Sequence, residues 1–151
     1  RLSLSGDASE VCARRLDWPD PRVLLGRALR SVATSAIDVS DGLVADIGHI
    51  CEQSRVDVEI ELQRVPRLPV IDADSLDPQI VRSALLAGGD DYELAFTAPV
   101  ASRQAIEALA LTLPLRLTRI GAVVARGGVV RVVDEGGVVV SLATSGFDHF
   151  R

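Results

Sequence analysis

Two aspartates and a serine lie close together at positions 38 to 41, where a strand-like apolar pattern changes into a helical one. Asp38 and Asp41 offer carboxylate oxygens, which are the ligands that Mg²⁺ prefers, and Ser40 places a hydroxyl group between them. The N-terminus of a helix favours phosphate, but two carboxylates repel phosphate unless a cation lies between the charges. The segment therefore indicates a site at which a hard divalent cation such as Mg²⁺ holds a phosphate group beside the end of a strand.

A second interpretation of these residues stays open. Ser40 or Asp41 could be the N-cap of the helix that begins near Leu43, because either side-chain oxygen can accept a hydrogen bond from a free N–H of the first turn. Capping needs only one such residue, so it accounts for part of the segment and leaves at least one carboxylate unexplained.

A second group of polar residues follows a later helical segment. Gly88 and Gly89 would let a ligand approach the backbone closely, and the carboxylates of Asp90 and Asp91 could accept hydrogen bonds from a polar heterocycle. The alternative is a glycine helix cap followed by a solvated turn. Tyr92, which comes next, is predicted to be mainly a core residue with its hydroxyl group at an edge.

Phe147 lies in a glycine-flanked segment near the end of the chain. Its ring could stack on a flat or cationic ring of a ligand, or it could anchor the segment by hydrophobic packing. His49 and His149 have no evident partner at metal-ligand spacing, so neither is assigned a metal or catalytic role. Cys12 and Cys51 also lack such spacing, and they are interpreted as buried or incidental thiols.

Five helices are predicted from apolar residues that recur at intervals of three and four. The Asp77-Pro78 pair marks the start of the fourth helix, Gly88-Gly89 ends it with a left-handed cap, and Ser102 caps the fifth. The predicted helices are 8–16, 21–32, 43–54, 78–87 and 103–111.

Six strands are predicted from β-branched residues and from alternation of apolar and polar residues, at 32–39, 56–62, 92–96, 116–124, 128–133 and 138–142. The acidic residues that alternate through 56–62 are interpreted as a solvated face of that strand. The first strand, the helix after it and the second strand predict a β-α-β unit. Glycine turns between the last three strands predict an antiparallel meander.

Composition limits the classes of function. The chain of 151 residues has the length of one domain, and its net charge of −5 argues against a nucleic-acid partner. All 16 basic residues are arginines, and we infer no function from this preference. No apolar stretch is long enough to predict a membrane span. The sequence contains no methionine, so we expect it to be a piece of a longer product.

Four motifs resemble the thiamine-monophosphate kinase family. The segment Asp38-Val39-Ser40-Asp41-Gly42-Leu43 resembles the central motif of that family, and Gly88-Gly89-Asp90-Asp91-Tyr92-Glu93-Leu94 is similar to its Gly-Gly-Glu-Asp-Tyr-Glu-Leu. Pro21-Arg22-Val23 with Gly26 and Gly146-Phe147-Asp148-His149-Phe150 are similar to segments near the start and end of its second domain. The resemblance extends over essentially the whole chain but covers only the C-terminal domain of the family.

The resemblance implies a fold and a domain arrangement. The fold is expected to be α/β, of the α+β type, with a mixed β-sheet flanked by helices, as in the C-terminal domain of aminoimidazole ribonucleotide synthetase-like proteins. Residues 1–20 would be an inter-domain segment and residues 21–151 a C-terminal substrate- and metal-binding domain. The N-terminal ATP-binding domain would be absent from this chain.

The resemblance also implies an activity, which is the ATP-dependent phosphorylation of thiamine monophosphate to thiamine diphosphate. The whole enzyme would be a cytoplasmic, Mg²⁺-dependent homodimer without a membrane or nucleic-acid partner, and this chain would be inactive alone. Carried over by motif, Asp38 and Asp41 are Mg²⁺ ligands and Ser40 contacts the phosphates of ATP. Asp90 and Phe147 bind the substrate, although Asp90 is one methylene shorter than the family's glutamate, so a bridging water would complete its contact. No nucleophilic side chain is expected.

Two other functions stay open. The chain could be a non-catalytic module that binds a thiamine phosphate. It could also belong to another ATP-using branch of the same superfamily, of the selenophosphate synthetase or hydrogenase-maturation type.

Overall fold

The computed structural model of the chain describes residues 6–67 and 76–141. The helices within these ranges are α1 (Gly6–Asp17), α2 (Val23–Ala28), α3 (Leu43–Ser54), α4 (Pro78–Ala87) and α5 (Arg103–Thr112). The strands are β1 (Ser35–Val39), β2 (Val56–Glu61), β3 (Glu93–Thr97), β4 (Gly121–Arg126) and β5 (Val130–Val133). Short 3₁₀ helices follow α2 and β2 and precede α5, at Leu29–Ser31, Leu62–Arg64 and Val100–Ser102.

The strands form two small sheets. In the first sheet β1 pairs with β3 in antiparallel fashion, with Ser35 opposite Thr97 and Val39 opposite Glu93. In the second sheet β2 lies between β4, which is antiparallel to it, and β5, which is parallel to it. The predicted α/β class with mixed strand pairing is confirmed. The predicted β-α-β unit is wrong, because β1 and β2 belong to different sheets.

The predicted antiparallel meander is also wrong, because β4 and β5 each pair with β2 and not with each other. The physical reason is the carboxylate of Asp57 on β2. Its Oδ1 accepts hydrogen bonds from the backbone N–H groups of Gly128 and Val129, at 2.9 and 3.0 Å, and its Oδ2 accepts one from Arg131. These bonds hold the turn between β4 and β5 across the end of β2. Past β5, the described residues add only a bridge between Val133 and Val139 to this region.

Helix α3 joins the two sheets. It packs against β1, β2, β5 and α4, and its apolar stripe supplies Leu43, Ile47, Ile50 and Cys51 to the interior. Burial of such side chains is the main stabilising contribution to the fold. The core cluster consists of Val39, Leu43, Ile47, Cys51, Val58, Ile60, Val65, Leu86 and Val132.

The ends of the helices depend on more specific contacts. Asp77 caps α4 as predicted, because its carboxylate accepts a hydrogen bond from the N–H of Gln79 at 2.8 Å. The predicted left-handed cap at Gly88 is wrong, since its φ is −70°. A Cβ there would lie 2.3 Å from the carbonyl oxygen of Ala84, so glycine is needed for space and not for a positive φ. Ser102 precedes α5 as predicted, but its side chain makes no capping hydrogen bond.

None of the helices in the described part of the chain is both long enough and apolar enough to cross a membrane.

Candidate functional site

The loop after β1 is fixed from inside the protein by Asp46 of α3. One carboxylate oxygen of Asp46 accepts hydrogen bonds from the backbone N–H groups of Ser40, Asp41 and Gly42, at 2.9, 3.0 and 3.2 Å. Asp46 is 3% exposed, so these bonds form away from bulk water, where bonds to a charged group are strong. One buried carboxylate thus ties three consecutive amides of the loop to α3.

This arrangement corrects the N-cap prediction. The N-cap residue of α3 is Gly42, so neither Ser40 nor Asp41 occupies the N-cap position. Gly42 has a φ of 121°, and a Cβ at this position would lie 3.0 Å from backbone atoms of Ala87, so only glycine fits between the loop and α4. The shared acceptor for the three loop amides is the carboxylate of Asp46, which follows the N-cap by four residues.

The Gly-Gly-Asp-Asp-Tyr segment lies directly against this loop. The N–H of Asp90 donates to the carbonyl oxygen of Ser40 at 2.9 Å, and the N–H of Tyr92 donates to that of Val39 at 2.8 Å. A Cβ at Gly89 would lie 2.5 Å from the Ser40 carbonyl oxygen. The two motifs, which are far apart in the sequence, therefore form one continuous surface at the end of β1 and the start of β3.

Backbone strain is concentrated in the same segment. Asp90 and Tyr92 have φ values of 66° and 49°, in the left-handed region that side chains other than glycine rarely adopt. Such strain persists where surrounding contacts enforce it and is common at functional sites. Here the two hydrogen bonds to the β1 loop are those contacts.

Tyr92 lies in the middle of the acidic groups. Its hydroxyl donates a hydrogen bond to Oδ1 of Asp90 at 3.2 Å. This bond raises the pKa of Tyr92 above its ordinary value, and the negative charges of Asp90, Asp38 and Asp41 raise the pKa further. The prediction that Tyr92 is mainly a core residue is wrong, because 41% of the residue is exposed. The negative charges of Asp38, Asp41 and Asp90 all raise the pKa of the Tyr92 hydroxyl group.

The donor set of this surface fits Mg²⁺. Asp38 is exposed on β1 and Asp41 is partly exposed on the loop that follows. Over residues 6–67 and 76–141, no group of three or more His, Cys, Asp or Glu side chains is arranged to hold a metal ion. Two carboxylates are nevertheless the kind of protein contribution that Mg²⁺ requires, because it keeps several waters and binds phosphate oxygens as well.

Basic residues border the acidic surface on one side. Arg22 makes a bidentate ion pair with Glu93, with Nε–Oε2 and Nη2–Oε1 distances of 2.8 and 2.7 Å, and Arg15 contacts the same carboxylate. The hydrogen bond from Arg22 is the main reason that the pKa of Glu93 is lowered. The ion pair joins α1 and the start of α2 to the first residue of β3. The negative charge of Glu93 is therefore paired with two arginines.

A small cavity of about 270 Å³ lies beside this ion pair, between the end of α1, the residues that follow it and Asp91. Arg14, Arg15 and Trp18 contribute to its wall, and Trp18 is 82% exposed. Burial of the Asp91 carboxyl raises its pKa although the residue as a whole is exposed, while the charge of Arg15 opposes the shift. The cavity adds cationic groups next to the acidic surface.

The predicted site residues fall into two sets. The structure brings Asp38, Ser40, Asp41 and Asp90 together at one edge of the β1–β3 sheet. Phe147 and His149 lie outside the described residues.

His49 is exposed on α3, and Cys51 is fully buried. Burial raises the pKa of the Cys51 thiol. Cys12 is partly buried, and both cysteines are free.

Two carboxylates that hold loops in place, Asp46 and Asp57, were not identified from the sequence. Asp46 had a readable signal, because it follows Leu43 by three residues and precedes Ile50 by four, which places a carboxylate on the buried face of α3. Asp57 had none, since its partners at 128, 129 and 131 are far away in the sequence. The interpretation of Asp57 as part of a solvated strand face is wrong, because only 6% of the residue is exposed.

The chain is similar to several thiamine-monophosphate kinases. It is 40% identical over 145 residues to that of Escherichia coli O157:H7, which covers 95% of this chain and 43% of the relative. It is 37% identical over 150 residues to that of Salmonella typhimurium, covering 99% of this chain and 45% of the relative. No protein-family model matches the chain.

Solved structures of similar fold belong to the same group of proteins as these relatives. The crystal structure of thiamine-monophosphate kinase from Stenotrophomonas maltophilia K279a has a TM-score of 0.78 at 42% identity, covering 87% of this chain and 41% of that chain. The structure of AaThiL complexed with AMPPCP and TMP has a TM-score of 0.75 at 27% identity. The match covers 99% of this chain and 44% of that chain. This chain spans less than half the length of the relatives that it matches, and it is a homologue of the thiamine-monophosphate kinases.

Proposed function

We propose that this chain supplies the substrate- and metal-binding part of an enzyme that transfers a phosphoryl group from ATP to thiamine monophosphate, forming thiamine diphosphate. The observation that carries the proposal is the junction of the two loops, at which Asp90 bonds to Ser40. It sets a candidate substrate contact beside the candidate metal and phosphate contacts. The homology supports the same reaction, and one homologue was solved with both AMPPCP and TMP.

Asp38 and Asp41 would hold Mg²⁺ together with waters and phosphate oxygens. When bound, the ion would neutralise negative charge on the phosphoryl group being transferred. Ser40 would contact a phosphate of ATP through its hydroxyl group. Phosphoryl transfer needs positioning and charge stabilisation more than covalent chemistry, so no residue of this chain is assigned as a nucleophile.

Asp90 and Phe147 would bind the thiamine end of the substrate. Tyr92 already donates to Oδ1 of Asp90, so Oδ2 is the oxygen that we assign to the substrate, directly or through a water. Phe147 would stack on the pyrimidine or the cationic thiazolium ring. The hydrogen bond from Tyr92 would help to orient the Asp90 carboxylate, which would favour substrate placement.

The remaining parts of the proposal rest on the resemblance. Residues 1–20 would connect to an N-terminal domain that binds the nucleotide, with residues 21–151 as the domain described above. The whole protein would be a cytoplasmic homodimer, and this chain alone would bind ligand without transferring phosphate.

The test is to measure thiamine diphosphate formation from ATP and thiamine monophosphate, with the full-length gene product beside this chain, with and without Mg²⁺. We expect product only from the full-length protein and only with Mg²⁺. Binding of thiamine monophosphate without any product in either protein would instead identify a binding module. Product formed at the same rate in EDTA would contradict the metal role.

A further inference from the structure

The hydrogen bonds to Asp46 extend beyond the helix that contains it. Gly42 is the N-cap of α3, and a bond from its N–H back to an acidic side chain near the helix start is a known capping interaction. The two shorter bonds, at 2.9 and 3.0 Å, come from the N–H groups of Ser40 and Asp41, which precede the N-cap. Helix capping does not account for these two bonds, which hold the loop before the helix.

Asp46 is itself anchored in the interior. It lies near the start of α3, and its helix neighbours Leu43, Ile47 and Ile50 are buried. A buried carboxylate is unfavourable unless hydrogen bonds satisfy it, and the three loop amides supply such bonds. Asp46 therefore joins the backbone of the loop to the packed face of α3.

The two candidate metal ligands are positioned by different interactions. Asp38 belongs to β1, where it lies opposite Leu94 of β3 in the strand ladder. Asp41 belongs to neither a helix nor a strand, and the bond from its N–H to Asp46 ties its backbone to α3. Mg²⁺ requires nearly octahedral oxygen ligands at about 2.0–2.1 Å, so a small displacement of Asp41 relative to Asp38 would weaken binding.

We propose that Asp46 is a positioning residue for the metal site, which holds the backbone of Asp41 in place relative to Asp38. This inference rests on the proposed function, in which Asp41 is a metal ligand. Asp46 is buried and is not assigned as a ligand. Removing its charge should therefore weaken metal binding through Asp41, and it should have little effect where Asp41 no longer contributes a carboxylate.

The test is a titration of the chain with Mn²⁺, whose free ion gives an electron paramagnetic resonance signal and which prefers the same oxygen ligands as Mg²⁺. We expect Asp46→Asn to weaken Mn²⁺ binding about fivefold, because a neutral oxygen holds the loop amides less strongly than a carboxylate. In an Asp41→Asn background the same change should alter the affinity less than about twofold. An equal effect in both backgrounds would overturn the inference, because it would show that the lost charge acts directly on the metal ion.

Asp57→Asn is the matched control for a loss of stability. Asp57 is also buried, and one of its carboxylate oxygens also accepts bonds from two consecutive backbone N–H groups, but it lies on β2 in the other sheet. We expect this variant to bind Mn²⁺ within about twofold of the wild type, since distant sites without shared partners act independently. A loss as large as that of Asp46→Asn would overturn the inference in favour of a purely structural role.

Hydrogen exchange shows where the backbone responds. In Asp46→Asn we expect the amides of residues 40–42 to exchange at least about fivefold faster, because their shared acceptor is weaker. The amides of residues 128 and 129, which Asp57 holds, should keep their wild-type rates. Unchanged exchange at residues 40–42 would overturn the inference.

The outcomes separate this inference from the proposed function. If Asp41→Asn weakens Mn²⁺ binding and Asp46→Asn does not, the positioning role fails and the metal role of Asp41 stands. If Asp41→Asn leaves Mn²⁺ binding unchanged, both roles fail. If both variants behave as expected but the full-length protein forms no thiamine diphosphate, the positioning role stands and the proposed reaction fails.

Discussion

The backbone N–H of Asp90 donates a hydrogen bond to the carbonyl oxygen of Ser40 across 2.9 Å. This bond joins the backbones of two motifs that are 50 positions apart in the sequence. Loops are usually the most variable parts of a fold, yet here each fixes the other. The surface that we assign to phosphoryl transfer is therefore preorganised by main-chain bonds.

The close approach of the two loops can be tested at Gly89. We expect Gly89→Ala to lower the free energy of unfolding by about 1–3 kcal/mol, because the new Cβ would lie 2.5 Å from the Ser40 carbonyl oxygen. Urea denaturation measures the loss. The control is Gly26→Ala, in α2, where nothing lies within 4 Å and the change should be neutral or stabilising. Equal stabilities of the two variants would mean that the loops are not in contact.

Asp46 is predicted to hold the β1 loop in place. Asp46→Ala leaves the amides of residues 40–42 without their shared acceptor, and we expect it to cost about 3 kcal/mol of unfolding free energy. Asp46→Asn retains an oxygen but loses the charge, so it should cost only about 1 kcal/mol. Thermal or chemical unfolding of both variants would check this order, and the reverse order would show that the carboxylate is not the acceptor.

Asp57 makes the stability of the fold depend on pH. The bond from Gly128 is the largest of several contacts that lower its pKa from 3.8 to about 2. Because the folded state binds this proton more weakly than the unfolded state, Asp57 stabilises the fold above about pH 4, and the effect is lost between about pH 4 and pH 2.

Unfolding curves measured from about pH 5 down to about pH 2 test this effect, because they cover the range in which the stabilisation is lost. Asp57→Asn should reduce the loss of stability on acidification, whereas Glu59→Gln, two residues along β2, should leave it as in the wild type. The same acid dependence in Asp57→Asn and wild type would refute the assignment.

The ion pair between Arg22 and Glu93 is expected to contribute modestly. The side chain of Glu93 is 41% exposed, so solvent screens the attraction, and we expect a coupling energy of about 1 kcal/mol. A double-mutant cycle with Arg22→Gln and Glu93→Gln measures it. The coupling should fall in high salt, and a coupling that is independent of salt would contradict an electrostatic origin.

The helices were predictable because their signals are local. Apolar spacing defined α3, and the Asp77-Pro78 pair defined the start of α4, since a cap and its helix are adjacent in the chain. The division into two sheets and the parallel β5 were not predictable in this way. Both depend on contacts between distant residues, such as Asp57 with Val129, that leave no trace in the residues around either one.

The candidate site shows the same limit. Residue types and family motifs selected Asp38, Ser40, Asp41 and Asp90, and the structure brings these four together. Tyr92 was misjudged because alternation along β3 indicates a buried ring. The left-handed backbone at Tyr92, enforced by its bond to Val39, instead leaves the ring exposed among carboxylates.

The most direct test of the central claim is the Mg²⁺ dependence of thiamine diphosphate formation by Asp41→Asn in the full-length protein. We predict that the Mg²⁺ concentration at half-maximal rate rises at least about tenfold, equivalent to about 1.4 kcal/mol, and that turnover falls. Asp77→Asn is the matched control, because asparagine caps a helix about as well as aspartate. An unchanged Mg²⁺ dependence in Asp41→Asn would contradict the assignment of Asp41 as a metal ligand.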